Sequence, residues 1–132
     1  VKVQFFLVND SSENLFVLNW FTPLEGLGGD IFQVRRDGQT VRYQGPLAER
    51  AEPSPEAYTL IAAGEAVWAE VDLTRARAYD FSVPGNYTIR FNSPRLSHIA
   101  RSEAEMASTY GELGPIQIAS NEVTVTIEDG DR

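Results

Sequence analysis

The chain holds one histidine, His98, in the run RLSHIAR, and no cysteine. Those two counts remove most metal and nucleophile chemistry. A closed zinc site draws on several histidine or cysteine ligands, and a His-Glu-x-x-His site needs two histidines one helical turn apart. Disulfides, thiolate sites and cysteine nucleophiles are excluded outright. A Ser-His-Asp set needs His98 beside one serine, and no Gly-x-Ser-x-Gly elbow occurs. His98 reads as a structural residue in a loop. The carboxylates Glu25, Asp30, Asp72 and Asp80 fall at strand ends and in loops. In pairs such groups serve glycoside hydrolysis, and in clusters they hold calcium. No Asp-x-Asp-x-Asp-Gly run is present, so solvated charges and turn hydrogen bonds are the expected roles. Gly26-Leu27-Gly28-Gly29 has no following Lys-Ser/Thr and reads as a flexible loop, not a phosphate cradle. Trp20, Phe21, Tyr43, Tyr58 and Trp68 could stack on a sugar, but aromatics of this kind more often fill a core, and that is the expectation for them. Asn86-Tyr87-Thr88 is a formal glycosylation sequon, relevant only in a eukaryotic secretory pathway. No catalytic residue, metal or cofactor is expected.

The elements that would position these residues are strands. Residues 1–8 place Val1, Val3, Phe5 and Leu7 on one face. Residues 15–20, 31–36, 39–44, 57–61, 65–72 and 86–92 follow as further strands. In 65–72, Ala66, Trp68, Glu70 and Asp72 alternate with Val67, Ala69 and Val71; in 86–92, Tyr87, Ile89 and Phe91 point inward. Asp37-Gly38 predicts a type I′ hairpin, because both central positions of that turn need positive φ. Ala63-Gly64 and Pro84-Gly85 predict turns, and residues 45–56, with three prolines, a long exposed loop. Residues 74–80 could hold one helical turn or an irregular crossing. Ser102 followed by Glu103-Ala104-Glu105-Met106-Ala107 fits either a short helix near 102–108 or a mobile excursion. Residues 116–119 and 121–127 close the pattern as strand. Seven to nine strands with turns every eight to twelve residues make an all-β chain, an antiparallel immunoglobulin-like β-sandwich. In such a fold the hydroxyl of Tyr87 bonds back to the corner before its strand.

A length of 132 residues fits one domain, residues 1–132, able to bury its own core. Nineteen acids against eleven bases leave a charge of −8, split evenly between the halves with no basic patch. Nucleic acid and anionic membranes are poor partners for such a surface. No apolar run is long enough to span a membrane, and no basic-then-apolar leader is present. The start at Val1, with a strand already under way, suggests an excised piece. Open sheet edges allow a monomer or a weak dimer.

One stretch has a more specific character. The run Leu18-Asn19-Trp20-Phe21-Thr22-Pro23-Leu24-Glu25-Gly26-Leu27 is followed by Asp30-Ile31-Phe32-Gln33-Val34 and Arg36-Asp37-Gly38. With Val41 to Leu47, Arg50, Pro53, Tyr58, Gly64-Glu65, Val71-Asp72-Leu73, Tyr79-Asp80 and Gly85-Asn86-Tyr87, it resembles the amino-terminal region of deuterolysin-type zinc metalloendopeptidases. These are the aspzincins, which include peptidyl-Lys metalloendopeptidases. The resemblance covers about residues 5–92 and falls on the pro-region, not on the catalytic unit. That unit carries His-Glu-x-x-His and a downstream Gly-Thr-x-x-Asp, and neither motif is present in this chain. The resemblance therefore implies a non-catalytic accessory or pro-domain, secreted or periplasmic, that assists folding of a protease domain, covers its cleft, or both. Its partner is a protease domain in cis or a protease in trans. The loops 22–29 and 45–55 are the expected contacts, since loops on a rigid scaffold carry recognition. Leu24 and Leu47 would be apolar anchors, with Glu25 and Arg50 on the polar rim. The alternatives are a stand-alone secreted binding module, such as a proteinase inhibitor or adhesion domain, and an enzyme acting on saccharides through loop carboxylates.

Overall fold

The computed structural model describes residues 1–48, 55–92, 98–106 and 119–129. Within them lie nine strands: β1 (Lys2–Val8), β2 (Leu15–Leu18), β3 (Phe32–Arg36), β4 (Gln39–Thr40), β5 (Tyr58–Ile61), β6 (Ala66–Asp72), β7 (Gly85–Asn92), β8 (Ile99–Ala100) and β9 (Ala119–Ile127). One short helix, α1 (Glu103–Met106), follows β8. All pairings among the described strands are antiparallel. The fold is an all-β sandwich.

One layer is the four-stranded sheet β4-β3-β7-β9; facing it is the pair β1-β6. Alternation in β7 buries Tyr87, Ile89 and Phe91, which meet Phe5 of β1, Val71 of β6 and Phe32 and Val34 of β3. Phe91 makes edge-on contacts with Phe5 at 5.1 Å and Phe32 at 6.0 Å. Each fully buried side chain of this kind contributes roughly 1.5–3 kcal/mol. The Tyr87 hydroxyl donates to the Val83 carbonyl, the corner bond expected from the sequence.

The hairpin forms where Asp37-Gly38 predicts it. Asp37 has φ 49° and Gly38 φ 86°, and Arg36 faces Gln39. The fourth strand is shorter than its predicted span of 39–44. Val41 still donates to Val34, but Gln44 then donates to Ala78, so the chain leaves β3 for a different partner.

A second, smaller sheet has the order β5-β2-β8. It continues the β1-β6 pair across a joint. The registers Val8↔Ala66 and Leu15↔Ile61 show β1 and β2 running antiparallel to β6 and β5, interrupted by residues 9–14 on one side and 62–65 on the other. Buried Asn9 closes that joint. Its Nδ2 donates to the carbonyls of Glu13 and Ile61, its backbone bonds Glu65 and Gly64, and its Oδ1 accepts from Ser11. A buried amide is stable only when satisfied in this way. Leu18, Tyr58, Ala100 and Met106 form a separate small core beneath this sheet and α1. The second strand ends at Leu18, not at Trp20, because Thr22 folds back on the Asn19 carbonyl and Phe21 adopts φ 58°. Residues 107–108 of the expected helix and 116–118 of the expected strand lie outside the described residues.

Candidate interaction surface

The loop 22–29 begins with a short 3-10 turn, Pro23–Glu25, capped from both ends of its own sequence. Thr22 is its cap: the hydroxyl accepts from Leu24 N–H at 3.2 Å and donates to the Asn19 carbonyl at 2.7 Å. Glu25 reaches back and accepts from the backbone N–H of Phe21. Thr-Pro-Leu-Glu thus has the spacing of a capping box, with the glutamate reaching the N–H one residue before the cap, and proline at the first helical position, where its missing N–H costs nothing. Gly26, at φ 89°, ends the turn in a conformation closed to most side chains. The most distinctive run of the sequence is therefore a self-capped turn. The turn lies against β6.

The loop after β4 is tied to this one. Ala48 N–H donates to the Gly28 carbonyl at 2.8 Å, and the Tyr43 hydroxyl donates to the Pro46 carbonyl. The structure thus ties residues 45–48, the described start of the second expected contact loop, to the first. It treats the four expected contact residues differently. Leu47 projects into solvent, 74% exposed. Leu24 and Glu25 are half-buried in the turn, and the Glu25 carboxylate is engaged in capping. Arg50 lies outside the described residues.

The carboxylates singled out for possible chemistry are dispersed into local roles. Asp30 accepts the Tyr79 hydroxyl proton at 2.8 Å, and that phenol in turn accepts from Phe32 N–H. Burial, then the Asp30 carboxylate, raises the Tyr79 phenol far above its ordinary value; the same two causes raise Tyr43. Asp72 accepts from Thr74 N–H, and that bond does most to lower its pKa. Asp80 is lowered by hydrogen bonds from the hydroxyl and N–H of Ser82. These are turn-forming bonds, and among the described residues no three metal-ligating side chains gather.

His98 is buried just before β8, not placed in an open loop. Its Nδ1 shares a hydrogen bond with the Tyr58 hydroxyl, and the rings meet edge-on at 5.6 Å. Burial lowers its pKa, with Glu105 offsetting part of the effect. Its role is structural, within the small core.

The expectation that Trp68 fills the core is overturned. Trp68 is 62% exposed on the outer face of β6, stacked on Phe6 at 6.4 Å and 29°. Sequence alternation already grouped it with Glu70 and Asp72, a signal that outweighs the general tendency of tryptophan to be buried. The tyrosines and this exposed pair do not form one sugar-stacking platform: Tyr58 belongs to the small core and half-buried Tyr43 packs on Tyr79.

The class defined to this point is an antiparallel β-sandwich presenting tethered loops and one apolar sheet face. The chain matches no protein-family model. Over 128 residues, 97% of its length, it is 30% identical to a protein of Aeromonas hydrophila named extracellular protease. It spans about a third (34%) of that protein's length. No helix among the described residues is long and apolar enough to cross a membrane.

Proposed function

We propose that this chain is a non-catalytic accessory or pro-domain of a secreted zinc metalloprotease of the aspzincin kind, a single sandwich that assists folding of the protease domain, covers its cleft, or both. The observation that carries this reading is the match of nearly the whole chain to one third of an extracellular protease. The absence of His-Glu-x-x-His and Gly-Thr-x-x-Asp from the sequence supports the division of labour: chemistry on the remaining length, positioning on this domain. The backbone hydrogen bond from Ala48 to Gly28 supports a recognition role, with exposed Leu47 as the contact presented most openly. A preorganised loop loses less entropy on binding than a free one.

The test is the reading frame beyond Arg132. The expected result is a protease segment carrying His-Glu-x-x-His and then Gly-Thr-x-x-Asp. A frame that closes soon after Arg132 overturns the reading.

A further inference from the structure

The outer face of β1-β6 is the exposed apolar feature with the clearest contiguity. The register sets Phe6 opposite Trp68 and Val8 opposite Ala66. Phe6, Val8 and Trp68 are 59%, 60% and 62% exposed. Together they present on the order of 300 Å² of apolar surface, the size of the largest patch on a typical single chain, which is often functional. Stacking of the two rings holds them upright at little further entropic cost on binding. The patch has an acidic rim. Glu70 follows Trp68 on the same face, while Asp10 and Glu65 close the end beyond Val8 and Ala66, both exposed. Among the described residues neither Asp10 nor Glu65 has a basic partner, and Glu70 reaches only Lys2, at 3.9 Å.

An aromatic centre inside a charged rim is the usual layout of a protein–protein contact. The rim fixes the kind of partner. Two copies joined through this face would set acid against acid, so self-association is opposed. A surface with an apolar pocket ringed by lysine or arginine is matched. We propose, resting on the reading above, that this face docks a basic-rimmed apolar surface of the protease domain, with Trp68 and Phe6 as anchors. The Pro23–Glu25 turn lies against β6, one of the two strands of this face.

The experiment titrates the 132-residue chain into the protease domain encoded in the same frame, by calorimetry at low and high salt. Four forms are compared: wild type, F6S/W68S, E65K/E70K and the loop variant L47S. The expected result is a loss of roughly 30-fold in affinity for F6S/W68S, since central aromatic anchors dominate such contacts. E65K/E70K weakens binding mainly at low salt, where charges are unscreened. Unaltered melting of each variant keeps the comparison fair, and the charge variant tests the face even if the double serine variant misfolds. Wild-type binding that F6S/W68S and E65K/E70K leave unchanged overturns the face and spares the accessory-domain reading. No binding by wild type overturns both. Concentration-dependent dimers of the free chain, abolished by F6S/W68S, would assign the face to a second copy and overturn the proposal.

Discussion

The two cores of this sandwich are built on different terms. The larger one, between β1-β6 and β4-β3-β7-β9, buries twelve residues among those described, all apolar or aromatic. Its tyrosine hydroxyls are satisfied by Val83 and Asp30. The smaller one, under β5-β2-β8 and α1, buries four, and against its Tyr58 sits the chain's one histidine. A core with fewer contacts and a titratable group opens at lower free energy than its neighbour. The larger core is thus the rigid platform for the Phe6–Trp68 face. The smaller one is expected to be the part of the fold that acid loosens first.

The strongest way to break this contrast is to damage both cores equally. Phe91→Ala should cost about 3–5 kcal/mol, read as a lower denaturant midpoint, because it removes a ring packed on both layers. Leu18→Ala should cost less, near the lower end of the roughly 2–5 kcal/mol seen for such truncations. Its effect on amide exchange should be confined to β2, β5 and β8. Uniform acceleration across β3 and β7 would show one cooperative core in place of two.

A pH series sharpens the same comparison. Burial lowers the pKa of His98, so the folded state binds a proton less readily than the unfolded chain. Stability from this group is complete above its ordinary value of 6.5 and falls as pH drops from there through the lowered folded value. The lowered carboxylates Asp72 and Asp80 give up their contribution only as pH falls below 3.8, in a separate window. Protection in β2 and β8, measured against the intrinsic exchange rate at each pH, should therefore fall as pH drops below 6.5 while β7 keeps its protection, and His98→Gln should flatten that dependence. The smallest effect belongs to Leu47→Ala, which should change stability by less than about 0.5 kcal/mol, since the side chain packs against little.

Much of the platform was legible from short-range pattern. Alternation in 86–92 identified Tyr87, Ile89 and Phe91 as core, and Asp37-Gly38 identified the hairpin. What failed depends on distant partners. The fourth strand ends early because Gln44 finds Ala78, and the joint at Asn9 exists because residues 62–65 break the opposing strand at the same level. Neither pairing leaves a local mark. Two signals were present and outweighed. Thr22-Pro23-Leu24-Glu25 carries the spacing of a capping box, which already assigns Glu25 to its own backbone and not to a rim. Trp68 shares its strand face with Glu70 and Asp72, which places it outside. The proposed sheet-face contact is illegible in the sequence, because contiguity of Phe6 with Trp68 is set by the register of strands distant in the chain.

The most direct measurement of the central claim follows hydrolysis of a peptide substrate by the protease domain while the intact 132-residue chain is titrated in, with refolding of the denatured protease domain monitored in parallel. The account predicts saturable binding with a dissociation constant of about 1 µM or tighter, together with falling hydrolysis, faster recovery of activity on refolding, or both. Hydrolysis and refolding that are both indifferent to the chain at concentrations well above that would contradict it.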